Sequence, residues 1–517
     1  LCIMNRIRPL YLLYVALGLT LLLRLVTLTA PFWNLDEAVS ALIGDVITEG
    51  GLPYRDGVDH RGPLTYYIYA AVFEIAGEIN MSLVHLLYIG VAMGLVWAVY
   101  LLGKQTADEW AGGVGALIIA IYSWAYHPAD VWAAHTEWIM SLCTAWAMWG
   151  LWTGKQVLRT YIWVGLLLGL AILSKQVALW ECGVVAIWLG QAIYRKQQGW
   201  RSASIHAVVA GGMTCVPLLL FSYYFYQKGI WSDWIAYGWQ YNLEHYIPIM
   251  TWGDRFTGLL RLLGDFLWDK PLIWMGMGLF LRQYLAAPSR DYFSLSLLSW
   301  AILSFLGAAM SGRAFGHYMI QVLVPWTLLA GIGWVHLRTV RVRRVAWIGI
   351  LLVLLLPTVL RMYRIEWPQT YQISPLAAYL NTHSQEDDRL FIWGMYPELY
   401  VEADRKPASR FIYCNMISGM IPWENLDGRR ALQGQYPGAV DSLLKDLEQH
   451  PPLWIVDTTP DSTFAYHHFP LSKHPRLYEW VHTHYLLDSV SLGRFEGFNF
   501  HLYQKIIADY QQIMVNS

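Results

Sequence analysis

A succession of apolar stretches, each close to the length needed to cross a bilayer, leaves this chain few ways to fold. They fall at roughly 9–29, 82–103, 112–127, 138–153, 160–174, 177–194, 206–227, 271–287, 292–311, 318–336 and 345–362. In hydrocarbon every backbone N–H and C=O must be paired within the protein, so such stretches fold as helices. A perpendicular helix needs about 20 residues, so the shorter runs extend into flanking aromatic residues. Charged residues make up 14% of the chain and apolar residues 56%, whereas a soluble domain is nearer a quarter charged. The 28 Trp and 33 Tyr suit aromatic belts at two membrane–water boundaries. The expectation is a polytopic α-helical membrane protein with about 11 transmembrane helices. A net charge of -1 gives no reason to expect nucleic acid as a partner.

Arg6 and Arg8 precede the first run. Its apolar part is too long for a signal peptide, and Pro31 after Ala30 makes a poor cleavage site, so it reads as an uncleaved span. A further stretch, 64–79, is interrupted by Glu74 and Gly77 and reads as an interfacial helix. With the N-terminus inside, the inner segments then carry Arg6 and Arg8, Lys104, Lys155 and Arg159, the Arg195 cluster, Arg282 and Arg290, and the Arg341 cluster. That is the bias of the positive-inside rule. Counting 64–79 as a span would move the Arg195 and Arg341 clusters outside. Residues 1–362 therefore form a transmembrane domain with two long outer loops, 31–81 and 228–270. Residues 363–517 form a soluble extracytoplasmic domain of α/β or α+β class. Strands are expected at 389–394, 453–457 and 498–503, with an amphipathic helix at 439–449.

This topology brings the polar residues of five short stretches, two of them in the first loop, to the outer boundary. Asp36, Glu37, His60 and Arg61 lie in the first loop, and His135 and Glu137 follow the third span. Lys175 follows the fifth, and Arg313, His317 and Tyr318 lie between the ninth and tenth. Charges at membrane depth are costly and usually face a shared cavity. Each also has a bland reading: Asn34 and Glu37 form a capping box with Asp36 at the helix N-terminus, and Lys175 and His135 snorkel. Against these stand a carboxylate as general base at Asp36 and a guanidinium fork for a lipid phosphate at Arg61. Arg313 and His317, four apart, share a face if their segment is helical. The joint placement outweighs any single residue.

The ordered set Asp36-Glu37, Gly51-Leu-Pro-Tyr-Arg-Asp56, His60-Arg-Gly-Pro-Leu64, Thr136-Glu137, Ser174-Lys-Gln176 and Arg313 with His317-Tyr318 ahead of Pro325 resembles the GT-C superfamily of membrane glycosyltransferases. The likeness is to the bacterial branch related to protein O-mannosyltransferases and the lipid A aminoarabinose transferase. It implies transfer with inversion of a sugar from a polyprenyl-phosphate donor to an extracytoplasmic protein, lipid or glycan hydroxyl. The protein would lie in a bacterial inner membrane. By position, Asp36 would be the catalytic carboxylate, with Glu37 beside it. Arg61, His60, Lys175, Arg313, His317 and Tyr318 would meet the donor phosphate, and Glu137 would be the second acidic site. The resemblance implies no firm cofactor; related oligosaccharyltransferases suggest a divalent metal on Asp36 and Glu137. Two departures stand out: Thr136 precedes Glu137 in place of a second acid, and Gly62 replaces a frequent Pro, which would loosen the loop carrying Arg61.

The alternative from another class is a transporter or flippase of a lipid-linked or small substrate. Such proteins place polar sites at the bilayer midplane, whereas here only Arg24 and Glu181 sit at mid-span. A non-catalytic assembly protein would tolerate Asp36→Asn.

Overall fold

The computed structural model describes residues 8–287, 292–337, 353–360, 362–363, 374–420, 428–460, 463–488 and 500–506. The first part of the last apolar run, 345–352, the Arg341 cluster and Arg290 lie outside these residues. Every other expected run is helical. Among the described residues, six helices are long and apolar enough to cross a membrane: Pro9–Thr29, Met81–Thr106, Gln176–Tyr194, Trp200–Gln227, Tyr292–Ala309 and Gly316–His336. Glu109–Tyr122 and Leu158–Ser174 are shorter apolar helices, and Thr136–Thr153 and Pro271–Ala286 fill two further runs.

Apolar helices in lipid gain little from hiding oil from oil, so close contact through small residues carries their association. A Cβ at Gly103 would lie 2.5 Å from Gly112 Cα, so these two helices cross backbone to backbone. The two mid-span charges tie helices together as well. Arg24 donates from Nη1 to Ser123 O and Val131 O at 2.7 and 3.0 Å. Glu181 accepts from Trp300 Nε1, Ser304 Oγ and Gln321 Nε2 at 2.5, 2.9 and 3.1 Å.

The stretch expected at the interface is helix Pro63–Ala76, started by Pro63 in its first turn and stopped by Gly77 at φ 77°. At 14 residues it is about 21 Å long, short of a full crossing. Its buried face, Thr65, Tyr66, Tyr69 and Phe73, lies on helix Leu35–Thr48, where Gly44 would place a Cβ 2.9 Å from Tyr69 Cβ.

The C-terminal region holds β1 (Arg389–Trp393), β2 (Lys406–Pro407), β3 (Trp454–Asp457), β4 (Tyr485–Leu487) and β5 (His501–Lys505). The sheet order is β2-β1-β3-β5-β4. β1 is parallel to β2 and β3, while β5 is antiparallel to β3 and β4. The three expected strands are β1, β3 and β5, and the expected amphipathic helix is Ala439–Gln449. The edge strands β2 and β4, two and three residues long, are too short to show a period in sequence.

One hydrophobic core joins this sheet to the outer loops. Leu35, Ile43, Tyr54, Tyr66 and Phe225 are buried in the same cluster as Leu376, Phe391, Trp393, Ile412 and Tyr413. Val58 N donates to Arg410 O at 2.8 Å, and Arg430 pairs with Asp254 at 2.5 Å. A fragment starting near residue 374 would bare the face of that core covered by Leu35, Ile43, Tyr54, Tyr66 and Phe225. Expressed alone, it is expected to show no cooperative thermal transition; a sharp transition in the isolated fragment would refute the shared core.

Candidate functional site

The first outer loop builds the centre of the site. Asn34 caps helix Leu35–Thr48, its Oδ1 accepting from Asp36 N at 2.9 Å. The expected capping box is altered: Glu37 reaches past the cap to accept from Trp33 N at 2.6 Å. Its other oxygen accepts from Ala134 N at 2.6 Å and meets His85 Nε2 at 2.8 Å. Glu37 is thus buried as a tie between three segments and does not line the cavity. Asp36, one residue earlier, does.

Arg61 is held between two carboxylates. It pairs with Asp36 through Nη2 and with Asp59 through Nη1, the latter at 2.5 Å. Asp59 is fully buried and also accepts from Tyr66 Oη at 2.7 Å and from Tyr413 Oη at 2.6 Å. Burial alone would raise the Asp59 carboxyl, but Arg61, His60 and the two tyrosine hydroxyls bring it down to about 2. Burial likewise opposes ionisation of Asp36, and Arg61, His317 and His135 outweigh it, so its pKa falls below the ordinary value. His60, whose Nδ1 lies 2.9 Å from Asn242 Oδ1, is pushed down to about 4 by burial and is neutral at physiological pH.

The loop carrying Arg61 is rigid. Tyr54 adopts φ 69°, a left-handed conformation that costs a non-glycine residue about 1–3 kcal/mol. Its buried ring is wedged edge-on between Tyr66 and Phe225, and its hydroxyl donates to Arg61 O at 2.7 Å. Gly62 corrects the expectation of a loosened loop. A Cβ there would lie 2.0 Å from Leu173 O, so glycine lets the loop press against the helix end that precedes Lys175.

Lys175 pairs with Glu137, and its ammonium sits 4.1 Å from the centre of the Tyr318 ring. His317 stacks on His135 with centroids 4.2 Å apart, and its backbone N–H donates to Asp130 Oδ1 at 2.9 Å. Asp36, His60, Arg61, Glu137, Lys175, His317 and Tyr318 line one cavity of about 330 Å³. Arg313 does not: it lies in irregular chain before the short helix Gly316–Met319, not on a helical face shared with His317. Its guanidinium packs 3.7 Å from the Tyr246 ring centre and donates to Tyr246 O at 2.8 Å.

Sequence reasoning missed the rest of the wall. Asn242 and Tyr246 come from the wide-turned helix Ala236–Tyr246 in the second outer loop, and Tyr413 and Asn415 from the C-terminal domain. No local motif marks them. One side of the cavity is apolar, with Leu179, Trp180 and Leu243 respectively 61%, 38% and 59% exposed.

Among the described residues, oxygen and nitrogen atoms of Asp36, His135 and His317 lie within 4.8 Å of one another, close enough for one ion. The donor set suits a divalent metal with oxygen and imidazole ligands. His135 Nε2 lies 2.7 Å from Ala129 O and donates to it, which turns the unprotonated Nδ1 toward Asp36 Oδ2, 3.8 Å away. Burial and the neighbouring His317 lower the His135 pKa, so the ring is neutral. A lone pair facing a carboxylate oxygen is poorly matched without a cation between them. The residues fit a metal, with His135 and His317 joining Asp36 and with Glu137 engaged by Lys175.

The architecture is a bundle of apolar helices with a carboxylate- and cation-lined cavity beside a C-terminal α/β domain, a fold the chain shares with solved GT-C glycosyltransferases. No family model and no curated protein matches the chain. Among solved structures it is similar to ArnT from Cupriavidus metallidurans bound to undecaprenyl phosphate, with TM-score 0.57 and 12% identity over 96% of this chain and 98% of that one. It is also similar to the oligosaccharyltransferase AglB from Archaeoglobus fulgidus in complex with an inhibitory peptide and a dolichol-phosphate. There the TM-score is 0.56, with 14% identity over 98% of this chain and 75% of that one. A second structure of the Archaeoglobus fulgidus oligosaccharyltransferase, in complex with Zn and sulfate, gives TM-score 0.57 and 15% identity over 96% and 73%.

Gly62→Ala tests the tight seat of the Arg61 loop. Overpacking costs about 1–3 kcal/mol, and here the clash is with backbone. Reduced thermal stability of the purified protein is expected; unchanged stability would show that the loop has room to move.

Proposed function

We propose that this chain is an integral membrane glycosyltransferase that moves a sugar from a polyprenyl-phosphate donor to an extracytoplasmic hydroxyl with inversion. The observation carrying this reading is the convergence of Asp36, Arg61, Lys175 and Glu137 on one cavity with an apolar side. A lipid phosphate needs that combination: cations for its head and an apolar groove past Leu179, Trp180 and Leu243 for its tail. The protein sits in a bacterial inner membrane with its N-terminus inside. The acceptor is a hydroxyl of a protein, lipid or glycan.

In this reading the donor phosphate takes Arg61 and Lys175 as partners in place of the carboxylates that hold them. The acceptor oxygen attacks the anomeric carbon from the face opposite the phosphate and gives its proton to Asp36. The bond from that carbon to the phosphate oxygen breaks with its electron pair, and polyprenyl phosphate leaves with its charge met by preorganised cations. His60 and Asn242 present neutral hydrogen-bonding groups to the sugar. Asp36, His135 and His317 are the residues that would hold a divalent ion, which when bound supplies positive charge where three carboxylates, Asp36, Asp59 and Glu137, face only Arg61 and Lys175.

Asp36→Asn is expected to lower kcat by at least about 100-fold, the scale of general-base catalysis, with donor binding retained. Because Arg61 depresses the Asp36 pKa in the free enzyme, wild-type kcat/KM is expected to hold as pH falls toward about 4, the ordinary carboxylate value, and to drop only in stronger acid. Purified protein assayed with polyprenyl-phosphate sugars and a membrane acceptor fraction measures both. Equal transfer by the variant would remove Asp36 from the chemistry.

A further inference from the structure

The C-terminal domain reaches into the reaction cavity with one hydroxyl. Tyr413 lies 354 positions from Asp59 in sequence, yet its Oη donates to Asp59 Oδ1 at 2.6 Å. The opposite oxygen, Oδ2, receives Tyr66 Oη and Arg61 Nη1 at 2.7 and 2.5 Å. Asp59 is completely buried and Tyr413 is 6% exposed, so water does not readily replace either tyrosine. The segment carrying Tyr413 is itself fixed. Cys414 N donates to Gly394 O at 3.2 Å, Arg410 N donates to Asp446 Oδ2 at 3.0 Å, and Arg410 O receives Val58 N at 2.8 Å.

From this geometry we infer that Tyr413 is a positioning residue of the transfer reaction, acting through Asp59 to set the guanidinium of Arg61. The physical argument is one of acceptor sites. The buried Asp59 carboxylate needs donors on both oxygens, and an unmade hydrogen bond to a buried charge is more costly than a neutral one. With Tyr413 in place, Oδ1 is satisfied by the C-terminal domain, and Oδ2 remains turned to Arg61. Without that hydroxyl, the neighbour left to Oδ1 is His60 Nε2 at 3.9 Å, beyond hydrogen-bond reach, and the carboxylate gains by rotating toward its other partners. Arg61 is the shared partner of Asp59 and Asp36, so any such rotation moves the group that meets the donor phosphate. The C-terminal domain is then a wall of the reaction site as well as an appended module. Deleting it would disturb Arg61 whatever it also does for the acceptor.

The inference rests on the glycosyltransferase reading, and the test separates the two. The full-length protein is purified as wild type, Tyr413→Phe, Tyr66→Phe, Asp59→Asn and the double variant Tyr413→Phe with Asp59→Asn. Each is assayed with a polyprenyl-phosphate sugar and a membrane acceptor fraction. Tyr413→Phe is expected to lower kcat/KM for the donor roughly tenfold, the scale of one hydrogen bond to a charged group, with the KM for the acceptor unchanged. Tyr66→Phe, which takes the other hydroxyl from the same carboxylate without touching the C-terminal domain, is expected to give a donor defect of the same kind. In the double variant the loss should be no greater than in Asp59→Asn alone, because coupled residues are not additive. A Tyr413→Phe loss that falls on acceptor KM, or that multiplies with Asp59→Asn, would overturn the positioning role and leave the functional reading standing. A wild type that transfers no sugar from any such donor would overturn both.

Discussion

The site depends on one buried arrangement: a guanidinium held between two carboxylates. Burying charges is repaid only where each is paired and hydrogen-bonded. Arg61 meets that condition by bridging Asp36 and Asp59, and Asp59 meets it with two tyrosine hydroxyls. The surrounding loop is built to keep it so. Tyr54 accepts an unfavourable backbone angle to hold Arg61 by its carbonyl, and Gly62 gives up its Cβ space to the end of the neighbouring helix. These are local costs, offset by the packing of the shared core, and they leave Asp36 rigid at the edge of a cavity.

The same arrangement explains why the C-terminal part of the chain is docked as it is. Apolar side chains of helix Leu35–Thr48 and of the sheet strands enter one cluster, so the helix carrying Asp36 is packed directly against the C-terminal domain. Three polar links, Val58 to Arg410, Tyr413 to Asp59 and Arg430 to Asp254, fix the register of that packing. A cavity open toward exposed apolar residues on one side and walled by the C-terminal domain on the other suits the proposed reading, in which a lipid-linked donor and a polar acceptor meet at Asp36.

Much of this was legible in the sequence, for physical reasons that differ by element. Apolar runs are long, and lipid enforces helix on them, so their positions follow almost directly; β1 and β3 show through as short apolar runs because they are interior strands of the sheet, buried along nearly their whole length. Asp36, Arg61, Glu137, Lys175 and His317, which line the cavity, stand out in the sequence because charge beside long apolar runs is rare enough to signal. Glu37 and Arg313 carried the same signal, but their partners decide otherwise. Glu37 satisfies two backbone N–H groups, and Arg313 braces Tyr246 from behind. Tyr413, Asn242 and Asn415 were out of reach, because an ordinary Tyr or Asn gains meaning only from what the fold sets against it. His135 read as a snorkelling residue, and only the stacked His317 and the hydrogen bond to Ala129 O turn its free nitrogen toward Asp36.

The most direct measurement is an experimental structure of the full-length protein in lipid nanodiscs with polyprenyl phosphate bound. The account predicts the phosphate between Arg61 and Lys175, beside Asp36, with the isoprenoid chain leaving past Leu179, Trp180 and Leu243. Phosphate density elsewhere, with Arg61 still closed on both Asp36 and Asp59, would contradict it.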